Sequence, residues 1–347
     1  MSSVPQSEIT PRRRGPTRWL AAVLGLAIIL AAVWFIRAAM WPCGALDRTS
    51  GCVSSVTLDV AALGFDTDRS KVTGSAFDLS PGGKTALVGI VGKVGDDMRV
   101  VLALYESGTG AMLRVLLDKT ETPVDGVFGA YISEAALSPD GALAAAASGW
   151  REGDAAFHML AVYRVADGSV VKTLVSREQT KDASGFDCTA MLDFSADGTK
   201  LQCSHTLYDI ATGSETSLLR DGDLVFPMPA DFPPGGLAPD GSRAGDLGLK
   251  PPIELVYDNF QSWHFAPDSN GLLSVARVSG SAVGKPSYVP AVFRQRSAVI
   301  LWDAKTKELR RSFYANHRFT QTAWSRDSAY FGLITEDLRL EVFRRQP

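Results

Sequence analysis

One turn phrase returns six times along this 347-residue chain. It reads Phe77-Asp-Leu-Ser-Pro-Gly-Gly83, Ala135-Ala-Leu-Ser-Pro-Asp-Gly141 and Asp193-Phe-Ser-Ala-Asp-Gly198. It returns as Gly236-Leu-Ala-Pro-Asp-Gly241, His264-Phe-Ala-Pro-Asp268 and Ala323-Trp-Ser-Arg-Asp-Ser328. Each copy is an apolar run, a tight turn and a second apolar run. A hairpin repeated this way restricts the chain to a modular all-β fold, a class used mostly for binding.

The second runs are Thr85–Val91, Ala142–Ser148, Lys200–His205, Gly271–Val278 and Ala329–Thr335. Third runs follow at Val100–Tyr105, Met159–Tyr163, Ala298–Asp303 and Leu338–Phe343, and fourth runs at Ala111–Leu117, Val170–Val175, Glu215–Leu219 and Leu309–Tyr314. Gly- or Asp-containing turns such as Ala166-Asp-Gly168 join most third runs to fourth ones, as in β-hairpins. Four antiparallel strands per repeated unit is the pattern of a β-propeller blade.

These residues resemble the WD-repeat and related bacterial propellers. Ser138-Pro-Asp-Gly141 with Leu143–Ser148 is similar to that family's first hairpin, and Val299-Ile-Leu-Trp-Asp303 to its third strand with the Trp-Asp signature. Elsewhere that place holds Leu104-Tyr105, Val162-Tyr163, Leu207-Tyr-Asp209 or Val342-Phe343, and the family's Gly-His pair is absent. The resemblance covers residues 54–347 and implies a fold, with no particular activity attached to it. The turn phrases advance from Ser80 by 58, 57, 43, 28 and 59 residues. The expected fold is an all-β propeller of about six four-stranded blades, the fourth degenerate because 28 residues are too few for four strands. The last unit has only three runs, so Val53–Val60 is expected to supply its fourth strand and close the ring.

The N-terminus sets location. Trp19 to Ile36 carries no charge, and apolar character resumes after Arg37 through Trp41. As a helix, residues 19–41 would reach roughly 34 Å, enough to cross a hydrocarbon core. A cleaved signal peptide would have an apolar stretch of about 7–15 residues, and Met40-Trp41-Pro42 is a poor cleavage context. Arg12, Arg13, Arg14 and Arg18 place the N-terminal side in the cytoplasm. The expected organisation is a basic tail (1–18), one transmembrane helix (19–41), a linker (42–52) and a propeller (53–347), with one helix preceding the ring. The bilayer is then a partner through residues 19–41, and the setting expected is a bacterial inner membrane, N-terminus cytoplasmic and ring periplasmic. Four cysteines fit an oxidising compartment, with Cys43–Cys52 and Cys188–Cys203 the expected pairs.

Of 35 basic and 38 acidic residues, 30 and 37 lie beyond residue 41, so the body is mildly acidic and nucleic acid is not an expected partner. The turns on one face of the ring are short. The connections on the other face are read as long loops at Gly92–Arg99, Gly149–His158, Ser279–Arg296, Asp118–Tyr131, Ser176–Phe186 and Asp221–Pro234. Loops on a rigid scaffold carry binding residues. Trp150, Arg151 and Glu152 in one loop, and Lys285, Tyr288, Phe293, Arg294 and Arg296 in another, have the aromatic and arginine composition of protein contacts. No catalytic set, metal cluster or cofactor signature is visible. His158, His205, His264 and His317 fall in separate units; there is no Gly-x-Ser-x-Gly elbow, and Gly280–Pro286 lacks the spacing and the Ser/Thr of a phosphate loop. The expected function is a protein-binding scaffold or accessory subunit whose partners are membrane or periplasmic proteins. The alternatives are an enzyme with a central-channel site and a small-molecule or glycan sensor.

Overall fold

The computed structural model describes residues 23–33, 43, 51–65, 72–122, 130–152, 155–179, 188, 191–218, 232, 257–278, 297–315 and 319–346. The chain divides into two units, Met1–Asp47 and Arg48–Pro347. In the first, residues 23–33 are helical. Among the described residues no helix is long and apolar enough to cross a membrane. Eleven helical residues reach only about 16 Å, and the remainder of the expected span, 19–22 and 34–41, lies outside the described residues.

The second unit is a β-propeller. Blade I is β2 (Val72–Leu79), β3 (Thr85–Val94), β4 (Asp97–Glu106) and β5 (Met112–Glu121). Blade II is β6 (Tyr131–Leu137), β7 (Leu143–Glu152), β8 (Ala155–Arg164) and β9 (Val170–Gln179). Blade III is β10 (Leu192–Phe194), β11 (Lys200–Cys203), β12 (Thr206–Asp209) and β13 (Glu215–Ser217). Blade IV is β14 (Tyr257–Phe265), β15 (Gly271–Val278), β16 (Ser297–Asp303) and β17 (Leu309–Ala315). Blade V joins β18 (Phe319–Trp324), β19 (Tyr330–Thr335) and β20 (Arg339–Arg344) to β1 (Cys52–Thr57). The ring is therefore closed by the segment after the N-terminal unit, with Val56 opposite Leu340 and Thr57 opposite Arg339.

The expected count of six blades is corrected to five among the described residues. The copy at Gly236–Gly241 lies outside them. The 28 residues from Ala238 to Ala266 fall short of the roughly 40–45 that a four-stranded blade needs.

Period-2 alternation builds the core. In β4, Val101, Ala103 and Tyr105 join the apolar cluster shared by blades V and I, while Val100, Leu102 and Leu104 join the one shared by I and II. In β7, Ala144 and Ala146 face blade I and Ala145 and Ala147 face blade III. Blades I and II thus bury both faces against their neighbours.

All nine turns linking first to second and third to fourth strands within a chain segment are five residues long. The turn phrase explains this uniformity. The hydroxyl oxygens of Ser80, Ser138, Ser195 and Ser325 accept the amide five residues on, at 2.8–2.9 Å. Where Asp stands two residues later, its carboxylate accepts the same hydroxyl: Ser138 to Asp140 at 2.6 Å, Ser195 to Asp197 at 2.7 Å and Ser325 to Asp327 at 2.5 Å. The fifth turn has Ala266 in the serine position and lacks both bonds.

The opposite face is variable, but two expected long loops there are strand. Pairing runs through Lys93–Met98 and Val94–Asp97 to a turn at Gly95 and Asp96, and through Trp150–Phe157 to Glu152–Ala155. Gly, Asp and Arg in these stretches read as loop residues, yet cross-strand pairing holds them extended. Gly149 is required on packing grounds, because a Cβ there would lie 2.4 Å from Tyr131 Cε1.

Candidate functional site at the inner edge of the ring

The first strand of each blade is innermost. β2, β6, β10 and β18 pack on one another in the order V–I–II–III, and β14 packs on β18. The axis-facing amides and carbonyls of these strands have no further strand to pair with, so side chains must satisfy them. Four of the five strands carry a register bulge, between Gly74 and Ala76, Ile132 and Glu134, Phe260 and Ser262, and Phe319 and Gln321. Each extra residue lies five positions before the turn-phrase Ser or Ala. A bulge re-aims the side chains beside it. Gln321, beside the blade V bulge, donates from Nε2 to the Ser75 carbonyl at 2.9 Å, bridging blades V and I.

Two residues before the turn-phrase Ser or Ala, the blades carry Asp78, Ala136, Asp193, His264 and Ala323. Asp78 accepts its neighbour's amide, Leu79 N at 2.7 Å, and blade II's Leu137 N at 2.6 Å. Arg326, at the second position of the blade V turn, donates from Nη2 to the Leu137 carbonyl at 3.4 Å and forms an ion pair with Asp193. Leu137 therefore has both edge groups satisfied by charged side chains from blades I and V. The pair Arg326–Asp193 joins blade V to blade III, which are not neighbours in the ring. It bridges the inner opening.

The charges are perturbed by this enclosure. Burial raises the Asp78 carboxyl to about 6, against the lowering influence of Arg326 and its two amide donors. Burial, with the Asp78 charge behind it, raises Glu134 to about 8. Glu134 is half-buried, and at neutral pH it is a protonated acid beside an ionised Asp78. Burial lowers His264 to about 4, keeping its imidazole neutral. Its carbonyl accepts Trp324 Nε1 at 2.9 Å, tying blade IV to V. The arrangement offers one guanidinium, ionised and protonated carboxyls, and a neutral imidazole at one opening. Among the described residues no group of three His, Cys, Asp or Glu is placed to hold a metal ion.

Sequence reading passed over this cluster. Its signal was present in the repeat itself: Asp78, Asp193 and His264 occupy one repeat position, and Arg326 replaces the proline or alanine of the other turns.

The residues singled out from the sequence fall elsewhere. Trp150 is 8% exposed, its ring stacked on Phe157 at 6.0 Å, with Lys119 of blade I 4.8 Å above it. Trp150 Nε1 donates to Glu152 at 2.9 Å, and Arg151 N donates to Glu121 of blade I at 2.9 Å. These three residues lie in β7 and knit blades I and II together. Lys285, Tyr288, Phe293, Arg294 and Arg296 lie outside the described residues. Cys188 and Cys203 form the expected disulfide, with Cα atoms 5.1 Å apart. Cys43 and Cys52 are also disulfide-bonded, and no cysteine is free. In β16, Trp302 donates from Nε1 to Ser274 Oγ at 2.8 Å, while Asp303 caps its own turn through the amides of Lys305 and Thr306.

No protein-family model matches the chain, and no curated protein matches it. Among solved structures the chain is similar to a chain in the crystal structure of the mitotic checkpoint complex. The identity is 12%, the match covers 87% of this chain and 96% of that one, and the TM-score is 0.42.

Proposed function

We propose that this chain is a membrane-anchored, extracytoplasmic β-propeller that serves as a protein-binding scaffold or accessory subunit, without catalytic activity of its own. The observation that carries the reading is the helix over residues 23–33. Its large apolar side chains, Val23, Leu24, Leu26, Ile28, Ile29, Leu30 and Val33, are all 47–66% exposed. At about 100° per residue they cover its whole circumference. A helix apolar on every side is stable only in lipid or enclosed by protein. Disulfides at all four cysteines support an oxidising compartment. The bridge from Arg326 to Asp193 across the inner opening supports binding at the outer faces of the ring over chemistry in its centre. Arg294 and Arg296 remain the loop residues proposed to meet a partner.

The test is purification of the full chain from membranes in mild detergent. Alkaline carbonate should leave it in the membrane pellet, and partner proteins should travel with it and be lost on Arg294→Ala with Arg296→Ala. Extraction by carbonate would remove the anchor. A chain that purifies alone would remove the scaffold role.

A second reading, a ligand-binding central site, is favoured by one observation. Glu134 is raised to about 8 and has no ion-pair partner among the described residues. Saturable small-molecule binding abolished by Glu134→Gln would favour it over the scaffold.

A further inference from the structure

Blades IV and V leave a cleft of about 550 Å³ between them, on the face of the uniform five-residue turns. Its volume lies in the range of small-ligand sites, about 300–1,000 Å³. Its apolar wall includes Trp302 and Phe331, both 1% exposed. Arg310 and Arg311, at the start of β17, line one side, and Arg344 and Arg345, at the end of β20, line the other. Four arginines in one cleft do not follow from composition, because the body of the chain carries more acidic than basic residues.

Two carboxylates hold two of the four arginines in place. Arg310 donates from Nη2 to Asp303 at 2.6 Å, and Arg345 from Nη1 to Asp268 at 2.7 Å. Arg345 also lies 5.6 Å from the centre of the Trp324 ring. Each guanidinium has five donors, so one such bond fixes its position and leaves donors for a ligand. Arg310 also feels the charge of Glu308, while Arg344 is exposed on the other side of the cleft. A phosphate monoester carries nearly two negative charges at neutral pH, and its oxygens match the guanidinium fork.

We propose that this cleft binds a phosphate-bearing ligand, its phosphate oxygens taken by Arg310 and Arg344 from opposite walls, with Arg311 and Arg345 beside them. The same phosphate chemistry is offered by an anionic lipid headgroup and by a soluble phosphate ester. The chain enters the ring on this face, where Arg344 N donates to the Gly51 carbonyl at 2.7 Å. The proposal stands on the cleft alone and not on the anchor.

The test titrates the full chain in neutral detergent, at constant ionic strength, with inorganic phosphate and with monomeric short-chain phosphatidic acid. Calorimetry and thermal shift are the readouts. Saturable binding is expected, weakened about tenfold by Arg310→Ala and by Arg344→Ala, since each removes a charge-assisted bond. Arg344→Lys should bind between the two, keeping the charge but losing the fork. Arg310 is 56% exposed in its side chain and Arg344 is exposed, so the unliganded melting temperatures should match the parent. Phosphatidic acid binding more than tenfold tighter than phosphate supports the site and assigns it to lipid. Equal affinities support the site and assign it to soluble phosphate. No saturable binding of either probe, affinity unchanged in the double alanine variant, or tighter binding of a polyglutamate peptide would overturn the proposal.

Discussion

Arg326 and Asp193 lie 133 positions apart in sequence and form an ion pair across the inner opening of the ring. Their side chains are only 10% and 17% exposed. Enclosed pairs of this kind are costly to break singly, because the surviving charge stays buried. Arg326→Leu should therefore destabilise the ring by about 3–5 kcal/mol, with Asp78 as well as Asp193 losing its cation. Arg326→Leu with Asp193→Leu should recover much of that loss. Urea denaturation of the four members of this cycle measures the coupling. Additive losses would mean that the pair is not the link between blades V and III.

Three raised carboxyls give stability a definite pH dependence. Asp78, Glu341 and Glu134 keep their protons to about 6, about 7 and about 8 in the folded ring, chiefly because burial disfavours their charged forms, whereas unfolded Asp and Glu lose theirs near about 4. Between those limits the folded state holds more protons than the unfolded one, so stability falls as pH rises. His264 acts in the opposite sense, but only below about 6.5, where the unfolded imidazole takes up a proton that the buried one refuses. Between pH 6.5 and 8.5 the carboxyl effect stands alone. Glu134→Gln should make the decline there shallower, leaving the share of Glu341, and raise the denaturation midpoint at pH 8.5. An unchanged slope would show that Glu134 ionises normally in the ring.

How much of this was legible in the sequence depends on distance along the chain. The turn phrase was legible because its bonds are local: Ser138 meets Asp140 and Leu143 within five residues. Closure by β1 was legible because the last unit lacked a strand and Val53–Val60 lacked a unit. The blade count ran high because a turn phrase was counted without the residues needed for four strands. The outer ends of β3–β4 and β7–β8 were read as loops because Lys93, Asp97, Arg151 and Glu152 carry no apolar alternation. Only their cross-strand partners reveal them as strand. The inner cluster was legible only by aligning the repeats, where Asp78, Asp193 and His264 share one position and Arg326 departs from Pro or Ala. Asp78, Glu134, Asp193 and Arg326 come from four blades, so no local pattern around any one of them marks their convergence.

Two turn residues are held in a backbone region that suits glycine better. The turn position filled by Gly141 and Gly198, at φ +71 and +72, is filled in blade IV by Ser269 at φ +60 and in blade V by Ser328 at φ +55. A side chain in the left-handed region costs roughly 1–2 kcal/mol. Ser269→Gly should raise stability by about 1 kcal/mol, since the bond from Ser269 N to the Ala266 carbonyl at 2.8 Å is a backbone one and survives. A melting temperature at or below the parent's would count against this reading.

The disulfide Cys188–Cys203 bears on blade III, whose strands are short, β10 and β13 having three residues each. Few ladder bonds hold such a sheet, so more of its persistence rests on the cross-link and on the cluster that Cys188, Leu192, Phe194 and Leu201 form with blade II. The cross-link spans 15 residues, and closing a loop of that length restricts the unfolded chain by about 3 kcal/mol. Cys188→Ala with Cys203→Ala should therefore destabilise the ring by about 3 kcal/mol, and hydrogen exchange should rise first in β10–β13. The buried positions of both cysteines, 0% and 3% exposed, accommodate alanine without overpacking, so the loss should come from the missing cross-link and the small cavity together. Exchange rising evenly through all five blades would instead mean that blade III opens only with the whole ring, and that the disulfide protects the fold globally.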